Sequence, residues 1–368
     1  MSNTVRTIAF ATAFVVAAGA SFAARQTGEQ PMRNPLALAM YADTSGAGAL
    51  EFRITNNSAQ ALKVPYWELP VGSGEGRMFD VYQNGKRAAY LGAVVKRTPA
   101  GDADMVEFAA FETKVFKVDL AKDYDLSRGG DFTVSFESRL DGARTANGRK
   151  VTSANGSMAG LRSAPVLLWV DGDSALKQQR DNTLKAAGKP GGGGTVVNGI
   201  TYVGCSATQQ TDAAAGVAQA RAYSEEAKNY VNSNGVTARY TTWFGAYTAS
   251  RLSTVKSHYN AIDSALDQSG GQVKINCGCN QNYYAYVYPT KPYEIFVCKA
   301  FWAAPTAGTD SKGGTLIHET SHFNVVASTD DNVYGQSGAK SLAISNPDKA
   351  IDNADSHEYY AENSPHQN

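Results

Sequence analysis

The segment from Gly314 to Gly335 reads GTLIHETSHFNVVASTDDNVYG, and its residue types suit metal chemistry. His318 and His322 lie four positions apart. On a helix they project from one face about a turn from each other, close enough for two imidazoles to reach one ion. Glu319 follows the first histidine directly and can lean over an open coordination position, where it would take a proton from water. A catalytic zinc takes three protein ligands and keeps one position open. The turn-rich loop STDDNVYG behind the helix can fold a carboxylate back onto the ion. Asp330 and Asp331 both qualify by chemistry, and spacing does not choose between them. The bare pattern H-E-x-x-H also occurs by chance on solvated helices, but here it takes two of the chain's five histidines, which favours a zinc hydrolase.

A second cluster lies in NPDKAIDNADSHEYYAEN. Asp348, Asp352, Asp355, Glu358 and Glu362 follow one another by four, three, three and four residues, a spacing that puts all five on one helix face. A solvated acidic face is the plain reading. Like charges at this spacing repel by a few tenths of a kcal/mol per pair, so a cationic guest would relieve them. His357, between two of these carboxylates, reads as a surface or pocket-wall residue; His258 and His366 carry no supporting motif.

The elements that must position these groups fall into two regions. The histidine helix is expected to run to about Ala327. From about Asn34 to Val170 the sequence alternates with a period of two, as in LEFRITNNS, and Asn84-Gly85 sits between two strand-like runs as a hairpin turn. Residues 25–182 therefore read as an all-β antiparallel sandwich of about immunoglobulin size, without a single histidine. Residues 183–200 include Pro190 and four consecutive glycines and read as a linker. Residues 201–368 read as a mainly α domain with a small β element in YYAYVYP and YEIFVC, and Trp243, Phe244 and Trp302 as its core.

Bulk properties narrow the function. Lys plus Arg equals Asp plus Glu at 34 each, so the charge balance gives no argument for a nucleic-acid partner. Residues 1–24 match a secretory signal, with one Arg ahead of an apolar run that ends in small residues. No other stretch is long and apolar enough to cross a membrane. Cys205, Cys277, Cys279 and Cys298 form an even set in an exported chain, which favours two disulfides; a bridge between Cys277 and Cys279 would be strained.

HETSHF, TDDNVYG and DKAIDNADSHEYYAEN, with the earlier TYVGC, RYTTWFG, YAYVYP and AFWAAPTAGTDS, resemble the aspzincin metallopeptidases, the peptidyl-Lys type above all. The resemblance extends from about Thr201 to the C-terminus and implies a zincin-like domain holding one catalytic Zn2+. By position it implies His318, His322 and Asp331 as ligands, with Asp330 as the fallback, Glu319 as general base and Tyr334 as oxyanion partner. Ser328 stands where the family usually has Gly, a residue that adopts positive φ more easily. Asp355 and Glu358 match an acidic S1′ pocket for lysine, which implies cleavage on the amino side of Lys in protein or peptide substrates. The implied disulfides are Cys205–Cys277 and Cys279–Cys298. The whole then reads as a secreted precursor whose N-terminal domain inhibits the enzyme or aids its folding, with Lys185 and Lys189 as places for self-processing. The alternatives are a broader, deuterolysin-like peptidase and a catalytically silent binding protein.

Overall fold

The computed structural model describes residues 34–71, 75–152, 159–186 and 194–367; strands dominate it up to Val170 and helices after Ser206. The expected signal peptide and Lys189 lie outside the described residues.

The N-terminal region is β-rich and antiparallel. Strand Ala49–Asn56 pairs with Leu36–Ala42 on one side and Thr113–Asp119 on the other. Its alternation sends Leu50, Phe52 and Ile54 inward. A second sheet is built on Gly130–Arg139, with Phe79–Gln83 and Val166–Val170 among its neighbours. Phe52 meets Phe79 and Phe136 of that sheet with ring centroids 5.7 and 5.5 Å apart, so the core lies between the two sheets. Asn84 and Gly85 both take positive φ in the hairpin joining Phe79–Gln83 to Lys86–Arg87.

In the C-terminal half, helix Ala207–Asn234 starts at a capping box of Ser206 and Gln209 and buries a stripe of small residues, Ala213, Gly216 and Ala220 among them. A Cβ on Gly216 would stand 3.1 Å from the Cβ of Lys312, and one on Gly313 would stand 2.7 Å from Gln219. These glycines let the histidine helix, Lys312–His322, lie close against the long helix. On another side, Gly314 makes room for Glu362 of the last helix, Ala354–Glu362. Trp243 and Phe244 are buried, and Trp302 packs against the core half-buried.

A six-stranded sheet borders this bundle, in the order Thr195–Val197, Ile200–Val203, Lys274–Asn276, Glu294–Val297, Ala285–Val287, Val94–Lys96. Its final strand comes from the N-terminal region and pairs antiparallel with Ala285–Val287. Disulfides Cys205–Cys277 and Cys279–Cys298 staple this half. The span read as a linker holds the end of helix Gly172–Ala186 and the strand Thr195–Val197; residues 187–193 lie outside the described residues.

Three local expectations differ. The histidine helix ends at His322 rather than near Ala327, because Phe323 turns to extended backbone and its N–H bonds to Thr320 O. The acidic run is not one helix face: Pro347–Ala350 and Ala354–Glu362 are separate helices joined through Asn353, and Asp348 pairs with Arg251 at the surface while Glu362 is buried. His357 is fully buried instead of lying at the surface or on the wall of the cleft cavity, its Nε2 3.0 Å from His258 Nδ1 and its ring beside Phe244 and Tyr259.

Burial pushes His258 down to about 4, and burial, with His258 beside it, pushes His357 down to about 3, against about 6.5 in an unfolded chain. Between these values the unfolded chain binds protons that the folded one refuses, so the pair's contribution is complete above about pH 6.5 and is lost as pH falls toward 4. Urea melts of wild type and His258→Leu across pH 7 to 4 test this: the variant is expected to show the shallower loss, and parallel slopes would contradict it.

Candidate active site

Every residue of helix Lys312–His322 is buried, so its polar side chains must find partners inside the protein. Ser311 caps its start, its hydroxyl accepting from Gly314 N. Beyond its end the chain folds straight back. Ser321 and Thr329 hydroxyls meet at 2.6 Å, and Ser328 takes the turn at φ 53°. His322 Nδ1 lies 2.8 Å from Thr329 O, so it donates there and leaves Nε2 as the free lone pair. His318 Nδ1 lies 2.9 Å from Asp355 Oδ1 and 3.3 Å from Glu358 Oε2, so its Nδ1 side faces carboxylates and its Nε2 side faces Asp331.

The fold-back brings Asp331 Oδ1 to 3.1 Å from His318 Nε2 and 3.3 Å from His322 Nε2. Asp330 faces elsewhere, its carboxylate 3.1 Å from Arg77. Burial alone would raise the Asp331 carboxyl, but when no metal ion lies between them the protonated His322 and His318 hold it well below the usual carboxylate range. Both Glu319 oxygens are buried without a hydrogen-bond partner among the described residues, and burial pushes this carboxyl up to about 7. A group poised there exchanges protons readily near neutrality.

Next to the histidines lies a second pocket, and it holds a lysine from the other region. Lys96 Nζ stands 2.6 Å from Glu358 Oε2, 3.2 Å from Asp310 Oδ1 and 3.6 Å from Asp355 Oδ1. The rings of Tyr284 and Tyr359 flank it at 5.1 and 5.8 Å. Burial opposes charge on Lys96, yet Asp355 and Glu358 keep its pKa well above the ordinary value. One residue earlier, Val95 O lies 2.8 Å from Tyr334 OH, which also stands 3.1 Å from Asp331 Oδ2. The phenol has one proton to donate, so it serves one of these oxygens at a time.

The structure thus brings His318, Glu319, His322, Asp331, Tyr334, Asp355 and Glu358 into one buried cluster, and the four cysteines stand apart as staples. Reading the sequence missed Lys96 and Asp310. The signal for Lys96 was slight, since it closes the apolar run LGAVV at the end of a strand and is followed by Arg97, as a solvated strand end would be.

A family model described as lysine-specific metallo-endopeptidase matches residues 227–362. An extracellular protease of Aeromonas hydrophila is 36% identical, with 86% of this chain and 88% of that protein aligned. The chain belongs to the aspzincin family. A peptidyl-Lys metalloendopeptidase of Pleurotus ostreatus is 54% identical over 45% of this chain and 98% of its own length. A solved zinc peptidase from Grifola frondosa shares 45% identity over 45% of this chain and 100% of that one, with a TM-score of 0.43. The protein is therefore a zinc metalloendopeptidase.

The aspzincin's own atoms fit such an ion. His318 Nε2, His322 Nε2 and Asp331 Oδ1 are buried, converge within 4.8 Å and have no ordinary hydrogen-bond partner among the described residues. A second possible set, His318 with Asp355 and Glu358, uses the histidine's other nitrogen and surrounds the Lys96 ammonium. After dialysis against a mild chelator, Asp331→Asn is expected to retain at least about 10-fold less zinc than wild type, while Asp330→Asn stays stoichiometric by elemental analysis. The reverse ranking would contradict the assignment.

Proposed function

We propose that this aspzincin is a secreted endopeptidase that cuts peptide bonds on the amino side of lysine. It is made as a precursor whose N-terminal region, read as an antiparallel sandwich, occupies the cleft of a zincin-like catalytic domain. One observation carries the reading: Lys96 Nζ lies 2.6 Å from Glu358 while the carbonyl before it, Val95 O, lies 2.8 Å from Tyr334 OH. A lysine side chain in the acidic pocket and the preceding carbonyl at the phenol is the disposition that a P1–P1′ pair would need. Relatives named peptidyl-Lys metalloendopeptidase support the specificity, and one named extracellular protease, with the signal-like start and the two disulfides, supports export.

In this reading His318, His322 and Asp331 would hold the ion. When bound, zinc supplies Lewis-acid polarisation of a carbonyl and lowers the pKa of water from 15.7 to about 7. Glu319 accepts a proton from the attacking water and later gives it to the leaving amine. Tyr334 donates to the carbonyl oxygen where Val95 O now sits, a contact that strengthens as negative charge builds there. The strand Ala285–Val287 aligns the substrate backbone, as it aligns Val94–Lys96. Asp355 has two duties, orienting His318 and receiving the lysine, whereas Glu358 faces the ammonium most closely. An apolar side chain in this pocket would leave buried charge unpaired, at a cost of about 3–5 kcal/mol.

The test is mass spectrometry of products from a denatured mixed-protein substrate, with processed wild type and Glu319→Ala. New N-termini beginning with Lys, absent from the variant's products, are expected. Cleavage without lysine preference would return the protein to a broader, deuterolysin-like specificity.

A further inference from the structure

Beside Asp331, behind the lining of the cleft, lies a second acidic pair, Asp330 and Asp352. Asp330, the neighbour of Asp331, is over nine-tenths buried, and its backbone is fixed by bonds from its N–H to Asp352 O and from Ala354 N–H to its own carbonyl. Its Oδ1 lies 3.1 Å from the Arg77 guanidinium, and Oδ2 lies 4.0 Å from Arg87. Asp352 is close enough for Asp330 to add to the effect of burial, which pushes its carboxyl up to about 7.

The two cations that balance this pair, Arg77 and Arg87, both belong to the N-terminal region, while both carboxylates belong to the catalytic half. Arg77 also lines the same cavity of about 450 Å³ as Lys96, Asp331, Tyr334 and Asp355, so its side chain bridges Asp330 and the cleft that the lysine strand fills. On the reading above, the N-terminal region leaves this cleft on maturation. The buried Asp330 carboxylate, with Asp352 held close by through their backbone pairing, then loses its counter-charge, and the preformed seat of a guanidinium is vacated.

We propose that Asp330 and Asp352 form a second cation subsite, separate from the lysine pocket, which in the mature enzyme takes the guanidinium of an arginine elsewhere in the substrate. Arg77 marks the place in the precursor. The preferred substrates are thus segments with two basic residues, a lysine beginning the new N-terminus and an arginine within reach of Asp330.

This inference rests on the lysine-directed reading, and the experiment separates the two. Processed enzyme is given peptides with one fixed cleavable lysine and with arginine, or its neutral isostere citrulline, placed at each of the flanking positions in turn. Wild type is expected to favour arginine over citrulline by about 10-fold in kcat/KM at one position. That ratio should fall to near one in Asp330→Asn and in Asp352→Asn, with zinc content measured in both and the preference for lysine over norleucine kept. Equal rates for arginine and citrulline at every position in wild type, or a preference that survives in both variants, would overturn the subsite. Loss of the lysine-over-norleucine preference in wild type would instead strike the parent reading.

Discussion

A helix buried on every side carries two imidazoles and a carboxylate into the interior, and the architecture around it answers the charge problem this creates. Helix Lys312–His322 can sit so deep because Gly313 and Gly314 let its neighbours come close. Once there, each ring nitrogen needs a partner. Thr329 O takes the Nδ1 proton of His322, Asp355 lies 2.9 Å from Nδ1 of His318, and both Nε2 atoms face Asp331 Oδ1, an arrangement of acceptors that a metal ion between them would satisfy. The tight fold-back after His322 follows from the same demand, since only a short turn brings Thr329 and Asp331 back over the helix.

The same constraint explains why the pocket around Lys96 adjoins the proposed metal site. Asp355 touches His318 with one oxygen and accepts from Gly335 N with the other, so one residue anchors both the metal-side histidine and the loop carrying Tyr334. Glu358, one helical turn on, is buried beside it. Two buried carboxylates this close are unfavourable unless a cation lies between them. In this chain Lys96 supplies it, delivered by a strand that extends the catalytic sheet at its edge. On the proposed function, specificity and latency would share one physical origin, the acidic pocket's need for an ammonium.

Much of this was legible in the sequence where the signal is local. The H-E-x-x-H spacing works because helical periodicity is rigid, and Asn84-Gly85 marked its hairpin because few other pairs tolerate two positive φ angles. Choosing between Asp330 and Asp331 needed the loop's three-dimensional path, since adjacent residues in a turn point to different sides. The acidic run looked like one helix face, but the chain breaks into two helices around Asn353, whose side chain accepts from Val333 N and ties the break to the metal loop. His357 gave no warning of its burial against His258, a contact 99 residues away in sequence. Lys96 was missed for the same reason: its partners are Asp310, Asp355 and Glu358, all in the other half of the chain.

The central claim is that one lysine of the N-terminal region fills the pocket a substrate lysine would need. It is tested most directly by the initial rate of the unprocessed precursor on a fluorogenic lysyl peptide, wild type against Lys96→Met, with intact mass confirming that neither has been cut. The account predicts a nearly silent wild type and a rate at least about 10-fold higher in the variant, because methionine fills the space without satisfying the carboxylates. Equal rates for the two precursors would contradict it.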